Sequence, residues 1–152
     1  MLDSGLLNGK GEVKWLGRGP LENYVDRKNS QFFGFYDKKL SEMNYCYIRP
    51  QESGNRGDVS LVMMEGGGLD LGIHNLSSEG LNFSIREYSD KEIDKANHPY
   101  QLKKDGNLYL HLDAAHHGIG GDDSWTRRVH DEFILDKKTD YELDMVLHID
   151  YS

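Results

Sequence analysis

Between Gly118 and Trp125 the chain reads Gly-Ile-Gly-Gly-Asp-Asp-Ser-Trp, which gathers permissive backbone, two carboxylates, a hydroxyl and an indole in one polar stretch. Gly118, Gly120 and Gly121 can take positive φ or approach a neighbour closely. Asp122, Asp123 and Ser124 can accept hydrogen bonds from nearby backbone N–H groups and so hold a loop in shape. An indole at the end of such a loop has two uses. Its apolar face can stack on the C–H face of a sugar while its N–H finds an acceptor, or the ring can anchor the loop into a core, since Trp is highly buried on average.

Other chemistry finds less support. Glycoside hydrolysis usually needs two carboxyl groups about 5–5.5 Å or about 6.5–9.5 Å apart. Asp122 and Asp123 are adjacent, so an extended segment would send them to opposite faces. His111, Asp113, His116, His117, Asp122 and Asp123 carry zinc-type donor atoms, but their spacing matches no strong metal motif, and no metal site is assigned. No serine sits on a G-x-S-x-G elbow, and Cys46 has no basic neighbour in sequence. Gly66-Gly67-Gly68 lacks the Lys and Ser/Thr of a phosphate loop and reads as a turn between strands.

The elements that must position the loop are mostly strands. Leu81-Asn82-Phe83-Ser84-Ile85 alternates strictly; Leu108, Leu110 and Leu112 alternate with Tyr109 and His111; Tyr141 through Ile149 alternates again. Each pattern predicts a half-buried strand, and the last two are expected to pair. Tyr45–Ile48, Val59–Met64 and Leu69–Ile73 are further β-compatible runs. Cys46 then reads as a small structural hydrophobe in a strand. Ser89 with Glu92 three residues on predicts a short capped helix stopped before Pro99, and Leu21–Arg27 after Pro20 predicts a second helical turn. Together these features predict an all-β domain of two packed antiparallel sheets. Residues 1–12 read as a flexible lead-in, and 13–152 as the β-sandwich domain.

A chain of 152 residues is one domain's worth and long enough to enclose a core. Twenty-six acidic residues stand against 18 basic ones, for a formal charge of −8. That balance opposes phosphate backbones and anionic bilayers, so neither nucleic acid nor membrane is expected as a partner. Arg127-Arg128 is isolated and reads as solvated surface. A single cysteine forms no internal disulfide. Met1–Gly5 lacks a basic start and apolar stretch, so a cytoplasmic location is expected unless the chain is an excised piece of a longer one.

Three segments, in order and in register, resemble the C-terminal domain of family 2 β-galactosidases, which some bacteria encode as a separate small chain. They are Trp15-Leu16-Gly17-Arg18-Gly19-Pro20-Leu21-Glu22-Asn23-Tyr24-Val25-Asp26-Arg27, Tyr47 through Arg56, and His116-His117 followed by the Gly118–Trp125 loop. The chain departs from that family's pattern at Val25, often Pro, at Ser53, usually Asn, and at Leu61, often a bulkier aromatic. These differences bear on local packing and leave the Trp125 loop intact.

The resemblance implies a galactose-mutarotase-like antiparallel β supersandwich, of which this chain is the later part. It also implies that Trp125 binds substrate at the aglycone side of a sugar pocket, with Gly120, Gly121, Asp122, Asp123 and Ser124 as loop supports. The catalytic carboxylates, and any Mg and Na, would lie in a TIM barrel absent here. This chain would hold no cofactor and be inactive alone. The expected partners are β-galactosides such as lactose, the barrel and remaining domains in cis or as a large chain, and further copies in an oligomer. The Glu22-Asn23-Tyr24 and Asp26-Arg27 groups read either as loop groups near substrate or, as favoured here, as an ion-paired turn holding the sheet edge. A rival from another class is a free-standing carbohydrate-binding module.

Overall fold

The computed structural model describes residues 2–3, 11–126 and 128–151; Arg127 and residues 4–10 of the lead-in lie outside the described residues. Nine strands are described: β1 (Leu2–Asp3), β2 (Glu12–Gly19), β3 (Phe32–Lys39), β4 (Arg56–Val59), β5 (Leu61–Gly66), β6 (Leu69–Asn75), β7 (Leu81–Arg86), β8 (Asn107–Asp113) and β9 (Met145–Tyr151). They form two antiparallel sheets, ordered β1-β8-β7-β4 and β3-β2-β5-β6-β9. The chain is therefore an all-β sandwich, as its alternating segments predict. The helix α1 (Asp90–Lys95) starts where expected, with the Ser89 hydroxyl accepting from Glu92 N at 3.3 Å. No helix among the described residues is long and apolar enough to cross a membrane.

Alternation places the core. Val13 and Trp15 of β2, Val62 and Met64 of β5, and Leu69, Leu71 and Ile73 of β6 face Val59, Leu81, Phe83, Ile85 and Leu108 of the other sheet. Trp15 sits at the centre, with Phe83 edge-on at 6.1 Å, Tyr36 tilted at 5.4 Å and the Arg56 guanidinium 5.4 Å from its ring centroid. Gly17 lets β2 cross close to β4, since a Cβ there would lie 2.6 Å from Val59 Cγ2.

Four expectations are corrected. Val59–Met64 is two strands, because the chain passes from one sheet to the other at Ser60, whose N–H bonds to Leu16 O. Tyr45–Ile48 is irregular, with the Tyr45 and Tyr47 rings 4.6 Å apart, and Cys46 is exposed rather than packed. Leu21–Arg27 is a turn closed by the Tyr24 and Arg27 backbones, its polar side chains drawn to other loops rather than to an i+4 ladder. The last two strands do not pair, because β8 lies between β1 and β7 while β9 extends the opposite sheet beyond β6.

The position of β9 leaves one flank open. Ile73 opposes Leu147, Leu71 opposes Ile149 and Leu69 opposes Tyr151, so these β9 side chains continue the core face of β6. The β6 residues are buried, whereas Leu147, Ile149 and Tyr151 are 53%, 48% and 72% exposed. The opposing sheet, β1-β8-β7-β4, leaves them uncovered.

Candidate functional site

The three sequence segments meet at one end of the sandwich. Asn23 and Glu22 join the first to the second. The fully buried Asn23 accepts from Gly57 N at 2.9 Å through Oδ1 and donates to Leu21 O at 3.1 Å, while its backbone exchanges bonds with Asn55. Glu22 accepts from Gly54 N at 2.8 Å, from the Tyr47 hydroxyl and from Arg27 at 3.3 Å. The ion-paired turn favoured from sequence is present, but it also carries Asp26 toward the third segment. There Asp26 Oδ2 accepts from Gly120 N at 2.7 Å, and Tyr24 meets the His116 ring edge-on at 5.3 Å.

Within the loop, glycine is required where the chain bends. Gly120 has φ +65°, and a Cβ there would lie 2.7 Å from Arg128 O. Gly118 is buried, and a Cβ would crowd Val129, Asp26 and Phe133 at 2.7–2.8 Å. Gly121 has φ +91° with open space around it, so only its backbone conformation calls for glycine. Asp123 Oδ1 then accepts from Trp125 N at 2.7 Å and Thr126 N at 2.6 Å, and Oδ2 accepts from the Thr126 hydroxyl. This is the local carboxylate turn that Asp favours. Asp122 pairs with His130, eight residues on. The exposed Ser124 hydroxyl makes no hydrogen bond among the described residues.

Trp125 ends this bend 90% exposed, so core anchoring does not describe it; the buried tryptophan is Trp15. Three hydrogen bonds to Asp123 hold the turn whose backbone carries this exposed indole.

The Thr126 and Trp125 N–H groups hold the Asp123 carboxyl below its ordinary range, which keeps it an acceptor. Asp122 is occupied by His130, whose imidazole that carboxylate holds above its ordinary value. The histidines that carry zinc-type donor atoms diverge. His111 Nε2 lies 2.7 Å from Arg86, His116 faces Glu52, and the Nδ1 of His117 contacts Gly118 O. Among the described residues, no three His, Cys, Asp or Glu side chains converge in the manner a metal ion needs.

Beside the loop lies a cavity of about 240 Å³ lined by Tyr24, Arg27, Tyr47, Gln51, Glu52, His116, Ile119 and Gly120. Glu52, 3.9 Å from His116 Nε2, holds the imidazole above its ordinary 6.5, and His116 holds the Glu52 carboxyl below its ordinary 4.5. A raised histidine contributes fully below 6.5 and loses that contribution as pH rises through its folded pKa. A lowered carboxyl contributes fully above 4.5 and loses it as pH falls through its folded pKa. The pair's contribution is therefore complete between 4.5 and 6.5. Glu52→Gln should accordingly destabilise most between about pH 5 and 6 and least near about pH 8.5. Denaturant titrations across that range check this, and a pH-independent difference would refute the pairing.

Asp26, His130 and the Glu52–His116 pair were not assigned as site residues from sequence. Asp26 had a signal, its place in Glu-Asn-Tyr-Val-Asp-Arg, but its reach to Gly120 spans 94 positions. Glu52 has the same kind of signal, its place in the Tyr47–Arg56 segment, whereas His130 has none.

Comparison with known proteins gives a consistent answer. A sequence profile described as β-galactosidase small chain matches residues 2–147. A β-galactosidase of Pseudoalteromonas haloplanktis is 40% identical over 128 residues, covering 84% of this chain and 12% of that protein. One from Vibrio cholerae serotype O1 is 40% identical over 141 residues, covering 92% and 13%. One from Enterobacter cloacae is 39% identical over 123 residues, covering 81% and 11%. The chain thus spans about an eighth of the length of the relatives it matches.

Proposed function

The chain belongs to the β-galactosidase small-chain family, and from that premise we propose that it completes the sugar pocket of a family 2 β-galactosidase by presenting Trp125 to substrate. The substrates are terminal β-D-galactosides such as lactose, cleaved with retention. The reacting carboxylates come from a barrel elsewhere in the enzyme, in cis or on a large chain, and the magnesium and sodium of this reading belong there too. The assembly is a cytoplasmic oligomer.

The observation that carries this reading is the exposure of Trp125 on a braced bend. Its role is positional. Stacking against a pyranose face fixes the sugar relative to groups that must attack or protonate it, and such orientation lowers the barrier without any reacting atom on this chain. The open flank of β9 supports a domain continued by further polypeptide and weighs against the rival, a free-standing carbohydrate-binding module.

Trp125→Ala in the assembled enzyme tests the assignment. Covering an indole face on the order of 80 Å² is worth about 2 kcal/mol at roughly 25 cal/mol per Å², or a loss of about 30-fold in kcat/KM for lactose. An unchanged kcat/KM would remove the role. Galactose binding by the chain alone, measured by calorimetry at millimolar affinity or better, would favour the module instead.

A further inference from the structure

We infer that Asp26 is a positioning residue for Trp125, the tether that fixes the loop to the sandwich; its effect on hydrolysis rests on the pocket reading above. The loop's own bonds are local. Those of Asp122 and Asp123 run to His130, Trp125 and Thr126, and Gly118 N bonds to Phe133 O at 2.9 Å. All of these lie between residues 118 and 133, so they shape the loop without holding it to the sheets.

The bond from Gly120 N to Asp26 Oδ2 does what they do not. Its acceptor sits on a two-residue turn closed by Arg27 N to Tyr24 O at 2.8 Å. That turn is fastened to the segment entering β4 by the buried Asn23. A carboxylate accepting a backbone N–H is among the stronger hydrogen bonds. The fit is also steric, because a Cβ at Gly118 would lie 2.8 Å from the same Oδ2. Asp26 Oδ1 is buried and has no partner among the described residues. An ion-paired turn alone would not place a half-satisfied carboxylate under two glycines of a neighbouring loop.

The test uses the assembled enzyme with Asp26→Ala, Asp26→Asn, Trp125→Ala and the double variant Asp26→Ala/Trp125→Ala. Amide hydrogen exchange is followed over 118–126, alongside kcat and KM for lactose. Asp26→Ala should speed exchange in this segment roughly 10- to 100-fold, the range for losing a hydrogen bond to a charged group. Strand amides should be unchanged. Asp26→Asn keeps an amide oxygen for Gly120 N–H at nearly the same volume but without the charge, and should fall between wild type and the alanine variant in exchange and kcat/KM, even where the alanine variant folds poorly. The double variant should hydrolyse no more slowly than Trp125→Ala alone, since a residue acting through the indole has nothing left to position.

Unchanged exchange in Asp26→Ala would overturn the assignment. So would an asparagine variant as impaired as alanine, or a double variant whose loss is the product of the two single losses. If Trp125→Ala leaves hydrolysis untouched, the pocket reading fails, and the exchange measurement still decides the tether.

Discussion

Truncating Trp15 to alanine is expected to cost about 3–5 kcal/mol of folding free energy, the range for deleting a buried aromatic side chain from a core that collapses only partly. The ring is fully buried and joins the two sheets through Phe83, and its Nε1 donates to Arg18 O at 3.0 Å. Its loss also strips the π face from Arg56, which is 2% exposed and held to Gly54 O at 2.6 Å. Burial already pulls the Arg56 pKa down to about 10, so this cation is poorly solvated where it stands. Trp15→Phe should recover more than half of the loss by refilling the space. Urea denaturation of the three proteins checks the order, and a loss below about 1 kcal/mol for alanine would show that the core closes without the indole.

The second large effect is expected at Asn23. Asn23→Ala removes the acceptor of Gly57 N–H and the donor to Leu21 O, leaving the buried Gly57 amide without its protein partner. An orphaned buried donor costs about 1–3 kcal/mol and each lost bond about 1 kcal/mol, so a total of about 2–4 kcal/mol is expected. Unlike the Trp15 truncation, this loss is local to the end where the three segments meet. Faster exchange should appear at Gly57 and along residues 21–27 before it appears in β5 or β6. Uniform loss of protection across both sheets would show that Asn23 matters to the whole core rather than to this junction.

How far sequence reaches is clear from where the strand readings succeed. β7 and β8 alternate because one face of each meets the core, and that pattern survives in the residue order. β3 does not alternate legibly. Phe33 and Phe35 point away from the core and are exposed, while Tyr36 points toward it, so hydrophobicity and inwardness part company. The aromatic run Tyr45–Tyr47 suggests a strand on propensity alone, yet Tyr47 is committed to Glu22 and Arg27, a tertiary demand with no local trace. The change of sheet at Ser60 is equally invisible, since neither Val59 nor Leu61 carries a turn signal. Within the loop, the bracing by Asp123 follows from local chemistry and was readable. The reach of Asp26 to Gly120 was not, because spacing along the chain says nothing of approach in space.

That long reach has a consequence for anyone moving this loop to another scaffold. A transplant of residues 118–126 would carry the bend and its ring, but leave behind the carboxylate, contributed from 94 positions earlier, against which Gly120 is seated. The portable unit is discontinuous: a donor strip, its acceptor turn, and the asparagine beneath that turn.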